Sequence, residues 1–100
     1  MMRVHPTGLN AKAYESVTVD NTAGGKPLTK YGRNQYALIS VETAQIRFTV
    51  DGTAPTTTVG HVLNAGDILE LDSLEDMKSF RAIRTGATSA VIHVTYSGVS

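Results

Sequence analysis

Residues 44–71 read AQIRFTVDGTAPTTTVGHVLNAGDILEL, and the reading of this stretch decides the fold. In AQIRFTV, Ala44, Ile46, Phe48 and Val50 alternate with Gln45, Arg47 and Thr49, the period-two pattern of a strand with one face in a core and one toward water or a partner. Asp51-Gly52 ends that strand in a tight turn, because Gly accepts positive φ and Asp hydrogen-bonds its own turn backbone. Pro55 has no N–H to give a central ladder, so residues 53–55 read as loop. A Gly-punctuated second strand follows, and residues 64–67, NAGD, turn the chain back into a third, ILEL.

Residues 35–42, QYALISVE, lie just upstream, with Ala37, Ile39 and Val41 on one face and Tyr36, Leu38 and Ser40 on the other. Both faces are fairly apolar, which is the profile of a central strand. Its short separation from AQIRFTV favours a hairpin between the two. Further out, YESVTV at residues 14–19 alternates well enough for a first strand at an edge, with Glu15 among its apolar set and burial beginning only partway along. Residues 21–34, rich in Gly and Asn, read as a long loop with at most a short extended piece at Pro27-Leu28-Thr29, and loops of that length usually have a task or a cover.

Toward the carboxyl end, Ser73 stands as a helix cap three residues before Asp76, with room for a short helical turn near 73–78 that lets Leu74 and Met77 plug the core. FRAIR and SAVIHVTY supply the last strands. About seven short strands at about ten-residue spacing predict an all-β fold, a two-sheet antiparallel β-sandwich of jelly-roll or Greek-key type. The expected organisation is an amino-terminal arm over residues 1–12 and one sandwich domain over residues 13–100.

The 100 residues suffice for one domain with a real core. Nine basic and nine acidic side chains cancel, which argues against direct nucleic-acid binding, where a basic excess is the usual footprint. With no Cys there is no disulfide framework, and the redox compartment stays open. No apolar run reaches the length of a signal peptide or a membrane span, so the expectation is an unprocessed protein with no membrane partner.

The three histidines, His5, His61 and His93, stand apart in sequence. Only His61 lies where a chelating strand pair would be sought, yet Val59 and Leu63, two residues to either side, cannot bind a metal, so no metal or other cofactor is expected. The carboxylates of Asp67, Glu70, Asp72, Glu75 and Asp76 lack the alternating grammar of a calcium loop and fit a solvated face or a helix start. Gly24-Gly25 lacks the spacing of a phosphate cradle and reads as turn chemistry. No activated nucleophile is marked, and the expectation is a non-enzymatic protein. Lys78, Arg81 and Arg84 cluster around one short strand, and Lys26, Lys30 and Arg33 around the long loop; a solvated face is the plain reading, a partner contact the functional one. Of the tyrosines, Tyr96 is expected in the core and Tyr31 exposed.

The order of motifs DGTAPT, GHVL, AGD, FRAIRTG and a final VTY strand, across residues 35–96, resembles a group of small virion-associated structural proteins of tailed bacteriophages and prophages. That resemblance implies a β-sandwich in the virion, as capsid decoration, cement or head-tail accessory protein, assembled in the bacterial cytoplasm. It implies contacts with major capsid, portal or neck proteins, together with homo-oligomerisation. The contact residues expected from leftover surface are Tyr31, Arg33, Gln45, Arg47, Thr49, Arg81 and Arg84. The alternative is a β-sandwich module binding carbohydrate or another small ligand, a reading that the absence of Trp weakens because sugar sites favour exposed aromatic pairs.

Overall fold

In a computed structural model that describes residues 8–99, the chain forms strands β1 (Asn10–Val19), β2 (Lys26–Pro27), β3 (Tyr36–Glu42), β4 (Ile46–Thr49), β5 (His61–Leu63), β6 (Ile68–Leu71), β7 (Arg81–Arg84) and β8 (Ala90–Gly98). One helix, α1 (Leu74–Ser79), precedes β7. The first sheet has the order β1-β8-β3-β6 and the second β2-β7-β4-β5. Antiparallel pairs nest one inside another, β1 with β8, β2 with β7, β3 with β6 and β4 with β5. A long folded ribbon rolled over itself gives this pattern, with β3·β8 and β4·β7 as the lateral pairs that rolling creates. That is the jelly-roll form of the sandwich.

The inward residues follow the alternation. Ile39, Val41, Ile92, Val94 and Tyr96 from the first sheet meet Ile46, Phe48 and Ala82 from the second, with Phe80 and Met77 closing one end. Phe48 and Phe80 stack with ring centroids 5.8 Å apart. Ser73 caps α1 as its sequence promised, its Oγ accepting from the Asp76 amide at 3.3 Å.

The expected hairpin between residues 35–42 and 44–50 does not form. β3 and β4 lie in different sheets, because β3 is already flanked by β8 on one side and β6 on the other. Its last residue leads into Thr43, which adopts φ 84°, and this left-handed corner carries the chain across to the second sheet. The long loop contains a real strand, β2, that pairs with β7. β1 begins at Asn10, so residues 10–12 of the expected arm belong to the sheet, while residues 1–7 with His5 lie outside the described residues. Tyr31, expected in solvent, is half-buried against the core, and Glu15, expected to lie short of the buried region, is buried.

Candidate functional site

The outer faces of the two sheets are built differently. On the second sheet, Arg47 of β4 donates from Nε to the Thr57 carbonyl at 3.0 Å and from a terminal nitrogen to the Gly60 carbonyl at 2.7 Å. The Thr49 hydroxyl donates to the Thr53 carbonyl at 2.5 Å. These bonds draw the segment between β4 and β5 back over the sheet, and Pro55 of that segment is buried. A Cβ placed on Gly25 would stand 2.9 Å from Pro55 Cγ and 3.0 Å from Arg81 Cβ. Gly25 also takes φ 83°, so close packing and backbone conformation both require a residue without a side chain there.

Most of the residues expected to contact a partner therefore serve the chain itself. Gln45 donates to Asn64 Oδ1 at 2.8 Å and accepts from the Thr85 hydroxyl at 2.8 Å. Arg81 donates to the carbonyls of Phe80 and Lys78 at 2.7 and 3.2 Å. Arg84 reaches Ser89 Oγ at 3.1 Å and, opposite Ile46 in register, stands on the other face of its strand from Arg81, which is opposite Thr49. Thr49 is buried, and Arg33 is exposed on the loop before β3. The set is not one patch.

On the first sheet no loop of this kind intervenes over Tyr14 and Ile68, which are 55% and 47% exposed. His93 of β8 lies between diagonal neighbours, with Tyr14 on β1 and Glu42 on β3. The Tyr14 hydroxyl is 2.5 Å from His93 Nδ1, and His93 Nε2 is 3.2 Å from Glu42 Oε1. A carboxylate only accepts, so Nε2 carries a hydrogen in this arrangement, and in the neutral ring Nδ1 accepts from the tyrosine. The row ties three strands together across an exposed surface. Sequence spacing gives no sign of it, since its members are brought together only by the rolled topology.

Glu15 has the most structured environment of any acidic group. Its carboxylate accepts from the Thr29 amide at 3.0 Å, the Thr29 hydroxyl at 2.8 Å, the Lys30 amide at 3.0 Å and the buried Tyr96 hydroxyl. Burial acts to raise its pKa, but the hydrogen bonds from Tyr96, Lys30 and Thr29 together outweigh burial and hold the carboxyl below its ordinary value of 4.5. Burial first, then the bond to Glu15 and its charge, push the Tyr96 phenol well above the usual tyrosine range. This is a buried polar pin that fastens the loop after β2 to β1 and β8.

An open groove of about 520 Å³ runs between β1 and β2, with Ser16, Val17, Thr18, Lys26 and Pro27 in its walls. Among the described residues no three His, Asp or Glu side chains gather as a metal ion would need, and no helix is long and apolar enough to cross a membrane. Comparison of the chain with protein-family models, curated proteins and solved structures returns no match.

Proposed function

We propose that this protein is a non-enzymatic structural component of a tailed-phage particle, a capsid decoration, cement or head-tail accessory protein that acts by docking. The observation that carries the proposal is the inequality of the two outer faces. The middle of the second sheet is covered by its own loop through Arg47 and Thr49, with Val59 and Val62 left exposed toward its β5 edge, whereas the first has no such cover and presents Tyr14 and Ile68 to solvent. A rigid sheet holding exposed aromatic and aliphatic side chains offers contact area at little entropic cost, which is what a repeated lateral contact on a particle needs. The ordered motifs of residues 35–96 that resemble virion proteins point the same way. In this reading the docking face is the outer side of β1, β8, β3 and β6, and Arg47, Thr49, Arg81 and Gln45 support the fold behind it.

Quantitative proteomics of purified particles, induced from the strain that carries the gene, tests the assignment. Peptides of this chain at high copy number support a capsid-surface position and at low copy number a neck position. Their absence from intact particles overturns the proposal. Replacement of Tyr14 and Ile68 by Asp should abolish incorporation while the isolated variant keeps its fold.

A further inference from the structure

The β1 edge of the first sheet is open over a short stretch whose direction the neighbouring ladders fix. The Val41 amide donates to the Asp67 carbonyl at 3.0 Å and the Val41 carbonyl accepts from the Gly66 amide at 2.8 Å, so the backbone groups of Val41 turn toward β6. Direction alternates along a strand, and Ser40 and Glu42 therefore bond to β8, where they face His93 and Val91. Ile92 and Val94 are left to bond β1 through Val17 and Glu15. The N–H and C=O of Ser16 and Thr18 then point out of the sheet. Asp20, of the same parity, shows that direction, since its carbonyl accepts from the Arg84 amide of β7 at 3.0 Å. The edge is closed at Asp20, but at Ser16 and Thr18 it has no backbone partner among the described residues.

This open stretch forms one wall of the groove of about 520 Å³ between β1 and β2. Val17 and Pro27 line the groove with apolar surface, and Lys26 stands on its β2 side. Lys26 is half-buried and forms no ion pair among the described residues. Asp20 feels its charge at longer range, but the Asp20 carboxylate is bound by the amide and hydroxyl of Thr22, at 3.0 and 2.5 Å. Glu15, in the groove wall, is taken up by Thr29, Lys30 and Tyr96. The groove thus joins two demands, a donor and acceptor repeated at about 6.8 Å along β1 and an anion for Lys26.

We infer that an extended segment of a partner protein adds to the first sheet along residues 16–18, with an acidic side chain of that segment set in the groove against Lys26. Only another strand repeats its own N–H and C=O at the spacing of β1. Residues opposite one another share a face of the sheet, so the added residue opposite Val17 turns inward as Val17 does and enters the groove. Lys26 gives that position its charge preference. The site lies at the sheet edge and is separate from docking through the outer face.

The probes are pools of capped peptides of about seven residues, degenerate in Val, Ile, Thr and Tyr, with Glu, Gln or Lys fixed at one position. Amide resonances of the isotope-labelled full chain report the site. The Glu pool should shift the amides of Ser16 and Thr18 and protect them from exchange, whereas those of Glu15 and Val17, already in the ladder, are slow with or without peptide. It should bind about tenfold more tightly than the Lys pool, and Lys26→Glu should reverse that order. Ser16→Pro removes an N–H that the ladder with β8 does not use, so the variant should fold and lose the peptide. Lys26→Gln serves where Ser16→Pro fails to fold, and should make the Glu and Lys pools equal.

No shift at Ser16 and Thr18 from any pool at millimolar peptide overturns the inference, as does binding without preference between Glu and Lys. Protection of the same amides in the protein alone, rising with its concentration, assigns the edge to a second copy and overturns it as well. These readouts use isolated protein, so their failure leaves the particle assays standing, and the failure of those leaves the edge site.

Discussion

Glu15→Gln is the sharpest perturbation the structure offers. The carboxylate accepts from Thr29, Lys30 and Tyr96 and is 6% exposed. The carboxamide keeps the size but turns an N–H₂ toward groups that are themselves donors, and the Tyr96 hydroxyl, wholly buried, cannot find water instead. A buried donor left without an acceptor costs about 1–3 kcal/mol, and bonds to a charged acceptor exceed neutral ones. Water can replace part of what Thr29 and Lys30 lose, so the expected destabilisation at neutral pH is about 2 kcal/mol. In a domain of this size that lowers Tm by about 8–16 °C.

The pH dependence separates this account from a generic loss of packing. The Glu15 carboxyl is held below its ordinary 4.5 in the folded chain, so its contribution is fully present above that value and is lost as pH falls through the lower folded value. Thermal or urea unfolding of the two proteins from pH 7 down to pH 3 should show a constant gap that closes only in the acid limb. Tyr96→Phe should cost about 1 kcal/mol and couple to Glu15→Gln in a double-mutant cycle. A gap under about 0.5 kcal/mol at pH 7, or one of the same size at pH 3, refutes the role of the carboxylate as a pin.

Gly24 and Gly25 both hold positive φ, but a Cβ meets nothing within 4 Å at Gly24 and meets Pro55 and Arg81 at Gly25; urea midpoints should place Gly24→Ala about 1 kcal/mol below the parent and Gly25→Ala about 3 or more. Thr43→Gly should raise stability by about 1 kcal/mol, because a β-branched residue at φ 84° is strained and relief of that strain exceeds the entropy cost of glycine; an unchanged or lower urea midpoint would contradict the strain. Arg47→Ala should release the segment from the second sheet, read as faster amide exchange across residues 53–60 with the β1 and β8 amides unchanged; uniform acceleration would instead mean global destabilisation.

The layered fold was legible because its core positions sit on strands with clean period-two alternation, such as Ile92, Val94 and Tyr96 or Ile46 and Phe48. The helix was legible through Ser73. Strand pairing was not, because short separation favours a hairpin only where the first strand has a free flank, and β3 has none. The contact set of Arg47, Thr49, Arg81 and Gln45 was drawn from the rule that polar alternates face solvent. That rule does not register that the segment between β4 and β5 offers carbonyls of Thr53, Thr57 and Gly60 over the same face. Glu15 was misplaced for a related reason. A carboxylate among apolar alternates reads as incomplete burial unless its donors are known, and three of its four donors come from the loop after β2, the fourth from β8.

The rolled ribbon explains why the pin and the open edge occur on the same strand. In a nest of pairs the first strand is necessarily marginal, with only the last strand beside it, so β1 has a free flank by topology and not by accident of sequence. A marginal strand is also the one most able to slip, and a slip of one residue would carry Glu15 out to solvent and Tyr14 into the core. The bonds from Tyr96, Thr29 and Lys30 forbid that slip, since they require the Glu15 carboxylate on the inner face. On the outer face the Tyr14 contact with His93 sets the same register. β1 is thereby fixed from both sides while its flank stays open.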